Sequence, residues 1–379
     1  MNRRFFFLAA LLIACFSGRV AQAGLSANST VFIIVMENHN WSSILGSVNA
    51  PYINNTLLPM ASYCDQYYNP PAIHPSLPNY LWLEAGTGFG ITDDSPPSVN
   101  HQSTTNHFVT QLKNAGISWK TYQENITGTT CPTTDSYPYY VKHNPFAYFD
   151  DVTASGCTSV MRPFTELAGD LSANNLARYN FITPNICNDM HDSCAPISNS
   201  IKQGDTWLSQ NLPPILNSAA YQNNGLVIIT WDEGASSSDG PIGMIVLSPY
   251  AKGGGYHNAI HYTHSSTLRT LQKIFGTNPK LGGAALGPDL SDLFQTGTIP
   301  NADTPTVSSF TRTPTSATIS WLSQIGVTYQ VEWKNSLTDP DWHLVAPDFA
   351  GTGSTINWTD DGSQTGGFTP ARFYRLALP

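Results

Sequence analysis

The sequence predicts an α/β domain built on a parallel sheet covered by helices, followed by a small β-sandwich. Three observations carry this. Apolar runs without a polar break, such as Val31 to Met36, recur along residues 24–295, as expected of strands buried on both faces. Segments of helical character separate those runs, and that alternation implies parallel strands with covering helices. Past Thr296 the runs shorten, alternate apolar with polar, and are divided by turn residues, as in an antiparallel sandwich.

The elements follow in order. Residues 1–23 read as an export signal. Arg3 and Arg4 precede an apolar stretch from Phe5 to Phe16, and Ala21-Gln-Ala23 is an A-x-A cleavage pattern. The stretch is shorter than the ~20 residues that span a bilayer. Leu12-Ile-Ala-Cys15 offers a second reading, a lipoprotein processing box with anchoring through Cys15, and the Arg pair is a weak match to a twin-arginine signal. Either way the expected location is secreted or periplasmic, with no transmembrane segment. Strands are expected at 31–36, 117–122, 179–183, 226–231 and 242–248, and helices at 78–85, 106–115, 163–173, 204–218 and 263–275. Thr263 or Ser265 can cap the last helix and Gly276 ends it. Residues 296–305 read as a linker. Residues 306–379 read as the sandwich, which carries no clustered titratable groups; the partner considered for it is a carbohydrate or another surface.

Composition narrows the function. Charged residues are 11% of the 379, against about 25% in ordinary soluble domains. A net charge of -9 argues against nonspecific nucleic-acid binding. Export makes disulfides plausible. Cys187 with Cys194 is the first expected pair, Cys131 with Cys157 the second, and Cys64 is left free. No C-x-x-C spacing suggests a metal-cysteine site. Five Asn-x-Ser/Thr sequons occur, at Asn28, Asn40, Asn54, Asn125 and Asn357. No G-x-S-x-G elbow, P-loop, dinucleotide fingerprint or H-E-x-x-H occurs, which argues against lipase, NTPase, dehydrogenase and zinc-protease chemistry.

The chemistry-bearing residues sit at strand ends. The run Val31 to Met36 meets Glu37 and Asn38, and the run Leu226 to Trp231 meets Asp232 and Glu233. Ligands of open α/β sheets bind beyond the carboxyl ends of the strands. Acidic groups gathered there are costly unless a cation neutralises them. Ser76, in His74-Pro-Ser-Leu-Pro-Asn-Tyr80, precedes a helix whose free N–H groups suit phosphate. Its hydroxyl is either a plain N-cap or a nucleophile activated by a metal. His143 and Asn144 form one polar cluster; Asp189, His191 and Asp192, in the loop between Cys187 and Cys194, form another. His264 opens the last helix, His257 and His261 fall in a loop, and His74 is ambiguous.

Taken in order, Val-Met-Glu-Asn38, His-Pro-Ser-Leu-Pro-Asn-Tyr80, His-Asn-Pro145, Asn-Asp-Met-His-Asp192, Trp-Asp-Glu-Gly234 and His264-Ser-Ser-Thr-Leu-Arg-Thr270 resemble the phosphoesterase family of acid phosphatases and phospholipases C. The resemblance covers residues 30–280 and implies an alkaline-phosphatase-like fold. It implies that Glu37, Asn38, Asp232 and Glu233 bind a divalent metal beside the nucleophile Ser76, and that His143, Asn144, Asp189, His191 and His264 surround the phosphate or a second metal. His191 is the expected proton donor to the leaving alcohol. The oxygen-rich ligands favour Mg²⁺, Ca²⁺ or Mn²⁺ over Zn²⁺. The expected substrates are small phosphate esters: phosphomonoesters first, phospholipid diesters second. The C-terminal part resembles immunoglobulin-like or fibronectin-like modules. A non-catalytic secreted binding protein is the alternative of a different class.

Overall fold

A computed structural model describes residues 24–154, 156–236, 240–300, 307–323, 328–352, 354–369 and 371–377. The export signal, with Cys15, and residues 301–305 of the linker lie outside the described residues.

In chain order the strands before residue 300 are β1 (Thr30–Met36), β2 (Ser62–Cys64), β3 (Tyr67–Tyr68), β4 (Trp119–Gln123), β5 (Met161–Pro163), β6 (Tyr179–Thr183), β7 (Gly225–Trp231), β8 (Met244–Leu247), β9 (Tyr256–Asn258) and β10 (Tyr262–Thr263). Eight of them form one sheet in the order β5-β4-β6-β1-β7-β8-β2-β9. Strands β5, β4, β6, β1 and β7 all run parallel. The α/β class is therefore as the apolar runs predict. One expectation is corrected: the strand read at 242–248 spans Met244–Leu247 and pairs antiparallel with both β7 and β2. An apolar run records burial, not direction.

β1 lies inside the sheet with all seven residues buried, between β6 and β7. Each Val or Ile so buried contributes about 1.5–3 kcal/mol, so this strand is a rigid base for whatever follows Met36. β7 and β6 are buried along their whole length too.

Helices cover the sheet. Ser76–Ala85, here called the serine helix, begins two residues earlier than expected and ends at Gly86 in a left-handed turn, φ 70°. Its Glu84 accepts from His107 Nδ1 at 2.8 Å and from the Val109 N–H at 2.7 Å, and His107 Nε2 reaches Asp151 Oδ1 at 3.0 Å. The helix is thus anchored at its far end. The helix His264–Phe275 lies against it, joined by Trp82 Nε1 donating to Ser265 Oγ at 2.8 Å. Thr263 caps that second helix in a full capping box, and Gly276, φ 67°, terminates it. The helix Ser200–Leu216 approaches the sheet closely at Gly204, where a Cβ would run into Met190 and stand 2.9 Å from Met36 Cε.

Both expected disulfides form, Cys131–Cys157 and Cys187–Cys194, and Cys64 is free and buried. The described part of the expected linker belongs to the main body: Ile299 is buried in the main core, and the Leu25 N–H donates to Thr298 O at 2.9 Å. Beyond it, Ala317–Leu322 and Thr328–Lys334 centre two antiparallel sheets. A separate core of Ile319, Trp321, Tyr329, Val331, Val345, Trp358 and Leu376 holds them.

Candidate active site

The site forms where β6, β1 and β7 end side by side. The β1–β7 register pairs Met36 with Trp231, so Glu37 and Asp232 leave the sheet as neighbours. The Asp232 N–H donates to Met36 O at 2.9 Å, and the Glu37 N–H donates to Asp189 O at 2.7 Å. Three strand-end segments thereby bring the carboxylates of Glu37, Asp189 and Asp232 together, all fully buried. Asn38 turns the chain with φ 42°, a region Asn tolerates, and its N–H donates to Asp232 Oδ1 at 3.1 Å. Met190, φ 86°, is strained beside Asp189; strain of this kind gathers at functional sites.

The serine helix meets this edge at its N-terminus. Pro75 is the cap residue and its side chain offers no capping bond; the first-turn Leu77 N–H is taken instead by Asp94 Oδ1 at 2.9 Å. Ser76 is thus not an N-cap. Its hydroxyl donates instead to Glu37 Oε2 at 3.2 Å. Tyr80, one turn on and so on the same face, donates its hydroxyl to Glu37 Oε1 at 2.5 Å. Glu233 Oε2 accepts from Asn79 Nδ2 at 2.8 Å and lies 2.8 Å from His74 Nδ1, which places it against the turn around Ser76.

Several features of the cluster fit a cation. Burial, reinforced by Asp232 and Asp189, pushes Glu37 well above the usual carboxylate range. Burial also raises Asp189, against the His191 N–H it accepts, and Asp232, against the Asn38 N–H. Asp189 Oδ2, Asp232 Oδ2 and His143 Nε2 are buried without a hydrogen-bond partner. One terminal atom of the Asn38 carboxamide stands 3.2 Å from Asp232 Oδ1 and 3.1 Å from Glu37 Oε2. As nitrogen it donates to both; as oxygen it joins them around a common centre, which only a cation would favour. His143 lies between two carboxylates, Nε2 3.3 Å from Glu37 Oε1 and Nδ1 3.2 Å from Asp189 Oδ2. Burial, then Lys142 and His191, hold its imidazole well below the ordinary histidine range. A neutral imidazole has one N–H, so one nitrogen lone pair faces a carboxylate. Glu37, His143 and Asp189 each offer a ligand atom within 4.8 Å of the others. The donor set is therefore not all oxygen, and it admits zinc as well as the harder cations.

The remaining expected residues divide. His191 is partly exposed at the rim, its Nδ1 2.8 Å from Asp192 Oδ1 and its ring 6.1 Å from that of His143. His264 lies under the site. Its Nε2–H donates to the Asp232 carbonyl at 2.6 Å, and Nδ1 accepts from the Tyr67 hydroxyl at 3.0 Å. With both nitrogens engaged it braces Asp232 and has none left for a ligand. Asn144 is buried with its amide nitrogen on Tyr139 Oη at 3.1 Å and near Met161 Sδ at 3.8 Å, and neither bond ties it to the carboxylates. Sequence reasoning missed the roles of Asn79 and Tyr80, three and four residues after Ser76. Counting helical register from Ser76 would have found both.

A model described as the phosphoesterase family matches residues 53–278. A phosphatidylinositol-3-phosphatase of Mycobacterium tuberculosis is 33% identical over 292 residues, covering 76% of this chain and 91% of that protein. An acid phosphatase of Aspergillus fumigatus is 29% identical over 58% of this chain and 50% of its own length. Among solved structures, a protein in the alkaline phosphatase superfamily from Vibrio parahaemolyticus superposes with a TM-score of 0.48 at 10% identity, covering 88% of this chain and 81% of that one. Nothing about activity follows from a likeness of that size.

Proposed function

Because the chain belongs to the phosphoesterase family and so hydrolyses phosphoric esters, we propose that it does so through a phosphoserine on Ser76, with phosphomonoesters as its preferred substrates. The observation that carries this reading is the Ser76 hydroxyl, directed at Glu37 from the first turn of a helix and not spent on capping it. Glu37, Asn38 and Asp232, with Asp189 and His143 adjoining, would hold a divalent cation. When bound, it supplies Lewis acidity to a phosphoryl oxygen and lowers the pKa of the serine hydroxyl.

The residues of the chain do the rest. Glu37 Oε2 accepts the Ser76 proton, and Oγ bonds to phosphorus as the bond to the alcohol oxygen breaks. His191, at the rim on Asp192, gives that alcohol its proton. Water then attacks the phosphoserine and yields its proton to His191. The P–Oγ bond breaks, Ser76 recovers its proton from Glu37, and inorganic phosphate leaves. Tyr80 and the backbone bond to Asp189 hold Glu37 still throughout. We further infer export, supported by the apolar leader and the two disulfides.

The test is hydrolysis of p-nitrophenyl phosphate, phosphatidylinositol 3-phosphate and phosphatidylcholine, with and without chelator, by wild type and Ser76→Ala. The two monoesters should be cleaved, and both chelation and the substitution should abolish cleavage. Equal hydrolysis by Ser76→Ala would rule out the nucleophile, and cleavage of phosphatidylcholine alone would favour the phospholipase reading.

A further inference from the structure

Lys142 takes no part in the steps above, yet its surroundings give it one. Its half-buried ammonium donates to Asp94 Oδ2 at 2.9 Å. The other oxygen, Asp94 Oδ1, accepts the N–H of Leu77 at 2.9 Å. One carboxylate therefore ties Lys142 to the first turn of the serine helix, one residue from the proposed nucleophile. Lys142 is also within electrostatic reach of the acidic cluster. Its charge acts on Glu37 and Asp189, and Glu37 and Asp232 act on it.

Charge accounting shows what such a cation can do. The edge of the sheet carries four carboxylates, Glu37, Asp189, Asp232 and Glu233. A phosphomonoester adds nearly two further negative charges at neutral pH, because its second pKa is about 6. A divalent cation offsets two charges at most, His74 faces Glu233 at 2.8 Å, and of the histidines beside the Glu37–Asp189 cluster His143 is held neutral and His191 is the proton donor of the steps above. A fixed ammonium beside the helix N-terminus is the remaining way to welcome a dianion, and lysine binds phosphate as a compact point charge.

We propose that Lys142 binds the non-bridging oxygens of the substrate phosphoryl group, with Asp94 as its positioning residue, and that this makes the site prefer a dianionic monoester to a monoanionic diester. The inference rests on the phosphoester-hydrolase reading of the same site. It accounts for a lysine held beside the serine helix by a carboxylate that also caps that helix.

The test measures calorimetric binding of inorganic phosphate to the metal-loaded protein, together with kcat/KM for p-nitrophenyl phosphate and bis(p-nitrophenyl) phosphate. Lys142→Gln should weaken phosphate binding about ten- to a hundredfold, the scale of one lost charge-assisted hydrogen bond. It should cost the monoester much more than the diester, and Lys142→Arg should recover most of the loss. The paired variant Lys142→Gln/Asp94→Asn, which leaves no lone half-buried charge, should show the same phosphate defect with an undisturbed melting curve. Unchanged phosphate affinity in Lys142→Gln, or equal losses on the two esters, would overturn the proposal. A wild type that binds phosphate through Lys142 but cleaves no ester would uphold it while defeating the hydrolase reading.

Discussion

Tyr80 shows how much the site depends on single contacts. Its buried hydroxyl donates to Glu37 Oε1 at 2.5 Å, and removing it leaves a buried carboxylate oxygen without its partner, at a cost of about 1–3 kcal/mol. Tyr80→Phe keeps the ring and its packing against His143. It should lower kcat/KM about ten- to a hundredfold and destabilise the fold by no more than about 1–3 kcal/mol, as steady-state assays and calorimetry would show. His264 gives a pH prediction. Burial lowers its pKa from 6.5 to about 4, against the hydrogen bond to the Asp232 carbonyl. The folded value is depressed, so the neutral imidazole contributes stability above the unfolded value of 6.5 and loses it as pH falls toward 4. The full loss is about 3 kcal/mol, and His264→Gln should flatten the melting curve over that window. Residue by residue, the sequence is readable where a side chain ends a buried run. Glu37 and Asp232 declare themselves because a carboxylate directly after an apolar strand has no bland reason to be buried. Tyr80 does not, because the serine helix starts at Ser76 and not at residue 78, which hides the i, i+4 relation. Lys142 does not either, since lysine in a polar stretch looks like ordinary surface charge.

At the scale of elements, the loop closed by Cys187–Cys194 carries Asp189 and His191 and is further pinned by Gln203, whose amide donates to Cys187 O at 2.7 Å and accepts from the Cys194 N–H at 2.9 Å. A crosslink this short contributes about 2–3 kcal/mol in the chain-entropy account. Its larger effect is to hold Asp189 against Glu37. Cys187→Ser/Cys194→Ser should therefore lose activity out of proportion to stability, with kcat/KM down at least about tenfold for a loss within that 2–3 kcal/mol range. Denaturant titration and kinetics on one preparation would separate the two effects. The long strands β1, β6 and β7 are legible because five to seven buried residues leave a clear apolar run. Strands β2, β5 and β9 are not, because three residues are too few to show a period.

At the scale of the molecule, the strand ends and the serine helix together build a centre that is under strain without a cation. Burial raises Glu37, Asp189 and Asp232 above their unfolded values. The sign follows: the stability of the protonated cluster is present below the unfolded carboxylate range and is lost as pH rises through the raised folded values. Metal-free protein should accordingly melt at a lower temperature near neutrality than in mild acid. Added divalent cation should raise the melting temperature most at the higher pH, because binding must displace those protons. Thermal-shift titrations across pH with and without chelator check this. The second module has its own core. Nothing among the described residues assigns it a carbohydrate, and the proposed chemistry draws on the first body alone. The most direct test of the account is chemical trapping. Metal-loaded enzyme would be quenched in acid during turnover of p-nitrophenyl phosphate, digested, and sequenced by mass spectrometry. The account predicts phosphate on Ser76, absent from Ser76→Ala and from unreacted protein. Rapid turnover with no phosphoenzyme at Ser76, or with phosphate on another side chain, would contradict it.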